Sequence, residues 1–223
     1  PRSTPGPWPA VPSGGAAALH YDGSIRDAIE FFRPHAGGNG RSCATCHRPE
    51  DHFALTPKTV EARWQALQQR RQVDPTADDP LFRSIDADDF ANDFTTLRTK
   101  ALVRVTLPLP PNVKRADDAA ATTVSVWRAV PTVVNAKFTG PYQNDGREPT
   151  LEAQALSAMR SHSEVSGDPA TERLTRMAGF QRHLFSSARV KRMSRARDDG
   201  MLPPSADAPL GAPPAAAGPR RRP

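Results

Sequence analysis

Cysteine is almost absent: the 223 residues contain two, three positions apart, which rules out a disulfide framework. No run approaches the roughly 20 apolar residues that a membrane-spanning helix needs. The chain shows neither an initiator methionine nor a signal peptide, so it reads as a mature chain or a fragment. No internal repeat is found. Proline, by contrast, is abundant, 24 residues where about 5 % is usual. Five prolines fall in the first twelve positions and seven between Pro203 and Pro223. Such segments cannot bury enough apolar surface to repay ordering. The expectation is a Pro-rich flexible segment over 1–20, one folded domain over 21–190, and a basic, Pro/Ala-rich disordered tail over 191–223.

The formal net charge is +6. From Ser186 onward seven Arg and one Lys stand against three Asp, a net +5, so the rest of the chain is close to neutral. A basic tail is more often a solvated run than a binding device. No helix interleaves basic and aromatic residues as a nucleic-acid groove does, so nucleic acid is set aside as a partner.

Ser24 is a good N-cap, with Asp27 at its third position, and Ile25, Ala28, Ile29 and Phe32 form one apolar stripe. Pro34 and the run Gly37-Gly38-Asn39-Gly40 end that helix. A short helix opens at Cys43 and is stopped by Pro49. Thr56-Pro57 starts another, with Val60, Trp64 and Leu67 on one face. Phe90, Phe94, Leu97 and Ala101 predict a helix begun by Asp88 or Asp89. The period then changes to two: Val103, Val105, Leu107 and Leu109, then Val124 and Val126, predict a small β-ribbon. Helical spacing returns from Thr150 and again from Ala170, the second stretch reaching Leu184 and Phe185. These elements give a mainly α domain with long loops and a small β-ribbon.

Cys43-Ala44-Thr45-Cys46-His47 is C-x-x-C-H, the attachment signature of c-type haem. On one helical turn, two thiols three residues apart can each add to one haem vinyl group. The adjacent histidine then lies under the iron as its axial ligand. A thioredoxin-like dithiol would want a strand before the motif, and a Gly-rich loop precedes it instead. A zinc site would need a fourth ligand and a second spaced pair, and only His52 is at hand.

The stretch Arg128–Ala155 resembles the first haem domain of the bacterial di-haem cytochrome c peroxidases and their relatives that mature methylamine dehydrogenase. That family reads R-N-x-P-T-h-x-N-A-x-F, an aromatic, D-G-R, then L-x-x-Q-A. Here stand Arg128, Pro131, Thr132, Val133, Asn135, Ala136 and Phe138, then Asp145-Gly146-Arg147, then Leu151, Gln154 and Ala155. Ala129 replaces the family's asparagine, and Asn144 the aromatic before D-G-R. A second C-x-x-C-H is absent, and the expectation is a truncated or frame-altered relative that kept the first domain.

The resemblance implies one covalent haem c on Cys43, Cys46 and His47 in a periplasmic or otherwise exported protein. Electron transfer with a redox partner protein ranks first, because the family's second haem usually stores one of the electrons for peroxide. Hydrogen peroxide reduction ranks second, and a haem-binding remnant without turnover third. Glu164 falls where the family's peroxidases place the glutamate that moves protons; its alternative is a solvated side chain in a Ser-rich loop. His162 is preferred as sixth iron ligand over Met159, which could equally be core. Arg128 and Arg147 suit haem propionates, or are surface ion pairs. His52 and His183 are read as packing or partly exposed residues, Asn135 and Asp145 as structural, and Trp64 and Trp127 as core.

Overall fold

A computed structural model describes residues 19–198. In chain order its elements are β1 (His20–Tyr21), α1 (Ile25–Phe32), α2 (Cys43–Cys46), α3 (Pro57–Val73), α4 (Thr95–Lys100), β2 (Leu102–Pro108), β3 (Thr123–Ala129), α5 (Leu151–His162), α6 (Thr171–Arg182), β4 (Leu184–Phe185) and α7 (Ala188–Asp198). Strands pair antiparallel as β1 with β4 and β2 with β3. The domain is mainly helical with two small sheets, as a cytochrome c-like domain should be.

Several starts follow the capping chemistry of the sequence. The side chains of Ser24, Thr56 and Thr150 each accept from the backbone N–H three residues on, satisfying a donor the helix cannot. The ribbon has the anticipated alternation, with Val103 opposite Arg128 and Val105 opposite Val126.

Four expectations are corrected. In α1 the buried residues are Ala28 and Phe31, whereas Ile25 and Ile29 are 66 % and 53 % exposed. That helix is apolar on more than one side, and the side that wins packs on α6, where the Phe31 and Phe180 rings lie 4.3 Å apart. The helix expected from Asp88 begins only at Thr95. Asp89 Oδ1 instead accepts from the N–H groups of Ala91, Asn92 and Asp93, a turn that competes with helix, and Phe90 is exposed with a positive φ. Leu184 and Phe185 leave helical register after Arg182 and pair as β4. Finally, α7 runs to Asp198, past the boundary at 190. It is fastened at Asp22, which meets Lys191 at 3.6 Å, Arg195 at 3.1 Å and His183 at 2.9 Å. Most of the Pro-rich segment 1–20, and the tail from residue 199, lie outside the described residues.

The core has two main parts. One, from α3, α4, β2 and the loop between α3 and α4, holds Val60, Leu67, Leu81, Leu97 and Val103, and Cys46 packs against it. The other, from α1 and α6, holds Phe31, Phe53, Phe180 and Leu184, and Cys43 packs against it. The four-residue helix α2 therefore joins the two cores.

Candidate haem site

Ser42 precedes α2 as its N-cap and forms a reciprocal box with Thr45, donating its own N–H to Thr45 Oγ1 at 2.9 Å. That fixes the single turn on which both thiols sit. Burial pushes the Cys43 thiol up to about 12 and raises Cys46 as well, so both are neutral S–H groups at pH 7. Cys43 Sγ lies 3.8 Å from Met177 Sδ and 4.0 Å from His35 Nε2.

His47 closes the turn. Its Nδ1 is 2.9 Å from the Phe53 carbonyl, which can only accept, so Nδ1 carries the proton and Nε2 keeps its lone pair. Burial lowers the basicity of the imidazole, and the nearby Phe53 and Pro131 carbonyls oppose that. A tautomer fixed by a backbone carbonyl is the usual arrangement for a metal-ligating histidine.

These residues line a cleft of about 310 Å³, within the size range of cofactor pockets. Its other walls are mostly apolar: Val103 and Val105 of β2, Val130 and Val133 of the following loop, Ala155 and Ala158 of α5. His162, from the last turn of α5, also lines it. Burial, aided by the nearby Arg41 guanidinium and opposed by Asp86, holds that imidazole down at about 4. Met159 is not part of the wall; it is 2 % exposed and packs with Ala155 and Met177.

Two donors of the wall lack partners. Gln143 Nε2 is buried with none, and the Arg128 guanidinium, half-buried, makes no hydrogen bond or ion pair among the described residues. An apolar slot with two thiols, three imidazoles and two unengaged donors fits a flat macrocycle that carries acidic side arms. The residues present therefore suit haem c: Cys43 and Cys46 for attachment, His47 and His162 for iron, Arg128 and Gln143 for a propionate.

Other candidates fall elsewhere. The Arg147 guanidinium is engaged by Asp145 at 2.6 Å and Glu148 at 3.6 Å and does not line the cleft. Glu164 is exposed, outside the wall, and accepts from Asn39 Nδ2 at 2.7 Å. His52 is exposed, and His183 pairs with Asp22. Asn135 ties its loop to the residue after β4 through Ser186. Trp64 packs edge-on against Phe82, and Trp127 lies under the Arg104 guanidinium. Sequence reasoning missed His35, 4 % exposed and in the wall, and Gln143; neither stands at a spacing that signals a site.

The arrangement defines a cytochrome c-like haem domain. A family model for di-haem cytochrome c peroxidase matches residues 31–196, and the chain belongs to that family. Membership brings haem c as cofactor and haem-based electron transfer or peroxidase-like activity as the chemistry. Neither the curated proteins nor the solved structures searched gave a match at the threshold applied.

Proposed function

We propose that this domain carries one covalently attached haem c, whose iron His47 and His162 would hold, and transfers electrons to or from a redox partner protein in the periplasm or otherwise outside the cytoplasmic membrane. The observation that carries this reading is that His162 shares the cleft wall with Cys43, Cys46 and His47, while the Glu164 carboxylate is engaged outside it. Bound haem supplies a one-electron iron couple. His47 presents Nε2 because Phe53 holds Nδ1–H. The valine and alanine walls keep water from the ring, and Arg128 and Gln143 offer N–H groups to its carboxylates.

Hydrogen peroxide reduction is the second reading, favoured by the family match itself. It consumes two protons and two electrons per peroxide, and it needs an open iron site and a proton-handling group near it. The ferric protein separates the two. Electron transfer predicts a low-spin optical and EPR spectrum, turned high-spin by His162→Ala. A native high-spin spectrum with peroxidase turnover would reverse the ranking.

A further inference from the structure

The last turn of a helix leaves carbonyls that the helix itself cannot satisfy. In α5 the donors come from the loop over residues 37–41, directly before the cysteine motif. The Asn39 backbone N–H donates to the Ser163 carbonyl at 2.8 Å. Asn39 Nδ2 donates to the His162 carbonyl at 3.1 Å and to Glu164 Oε2 at 2.7 Å. Both hydrogens of that amide are thereby used. Arg41 Nη1 donates to the same His162 carbonyl, at 3.1 Å.

Arg41 is itself immobilised. It is 1 % exposed, its Nη2 lies 2.7 Å from the fully buried Asp86, and it donates to the Pro80 and Leu81 carbonyls. Gly38 adds a steric limit: a Cβ there would collide with the Ser163 carbonyl oxygen. One donor would cap the helix. Here two side chains converge on the carbonyl of the one residue in that turn whose ring lines the haem cleft.

We propose that Asn39, Arg41 and Glu164 are positioning residues that hold the His162 ring at the sixth iron position, with Glu164 serving as the acceptor that aligns the Asn39 amide. This rests on the reading of His162 as ligand. Without the Glu164 acceptor only the long bond from the Arg41 backbone N–H to Asn39 Oδ1, 3.4 Å, orients the amide, and its bond to the His162 carbonyl weakens. Without the Asn39 side chain, Arg41 alone holds the His162 carbonyl, while the Asn39 backbone N–H still holds that of Ser163. The carboxylate acts through hydrogen-bond geometry, so an uncharged acceptor of the same shape serves equally.

The test compares ferric, haem-loaded wild type with Asn39→Ala, Glu164→Ala and Glu164→Gln, reading spin state by EPR and the rate of cyanide association. Asn39→Ala and Glu164→Ala should gain high-spin signal and bind cyanide about tenfold faster, the scale of one lost hydrogen bond. Glu164→Gln, whose amide oxygen still accepts, should keep the wild-type spectrum and rate. The clasp is overturned if the two alanine variants match wild type, or if Glu164→Gln behaves as Glu164→Ala does. Should Asn39→Ala fail to mature with haem, the exposed Glu164 pair carries the test. His162→Ala is the separate control: an unchanged spectrum there removes the ligand assignment itself, whatever the clasp variants do.

Discussion

Arg173 Nη2 lies 3.0 Å from His35 Nδ1, and a guanidinium has donors but no acceptor. Nδ1 must therefore accept, which puts the imidazole proton on Nε2, beside Cys43 Sγ. Burial, reinforced by the Arg173 charge, holds the His35 pKa down to about 4 from 6.5. The group is neutral when folded and protonates more readily when unfolded, so acid favours unfolding. Stability should fall as pH drops from about 6.5 to about 4 and then level off, losing about 3 kcal/mol from this residue. Urea midpoints of the haem-loaded protein across that range check it. His35→Gln should flatten the slope, and an unchanged slope would contradict the assignment. At this scale Cys43, Cys46 and His47 stand out in the sequence because attachment chemistry requires them contiguous. His35 does not, since its partner Arg173 comes from α6, far along the chain. Glu164 and Arg147 mark a different limit: a family register gives a place along the backbone, and the direction of the side chain depends on neighbours such as Asn39 and Asp145.

Secondary-structure elements matter here through α2, too short to be stable alone and held by the cores it joins. Phe31 of α1, 1 % exposed, meets Phe53 at 6.0 Å and Phe180 at 4.3 Å, and Phe53 supplies the carbonyl that orients His47. Phe31→Ala should cost about 3–5 kcal/mol, while Ile29→Ala on the same helix should change stability by less than about 1 kcal/mol. Thermal unfolding of the two variants measures this, and equal losses would mean that the helix faces the core by another side. The capped helices and the ribbon were readable because their signals are local. The phase of α1 was not, because its apolar residues occupy more than one face and α6 decides between them. The late start of α4 escaped as well, since the aspartates that cap helices also close turns.

Over the whole molecule, the long segment between the cysteine motif and Arg128 builds α3, α4 and β2, one of the two cores and a wall of the cleft. The motif blocks that carry the family resemblance supply the opposite packing and the loop after β3. The central claim is that Cys43 and Cys46 both bond a single haem, and peptide mass mapping tests it most directly. Trypsin cuts after Arg41 and, because Arg48 precedes Pro49, next after Lys58. Protein matured with the haem-attachment machinery and denatured in acid should yield the Ser42–Lys58 peptide carrying the mass of one haem, with no free thiol. The same peptide recovered unmodified, with both thiols open to alkylation and the colour lost to solvent, would contradict the account.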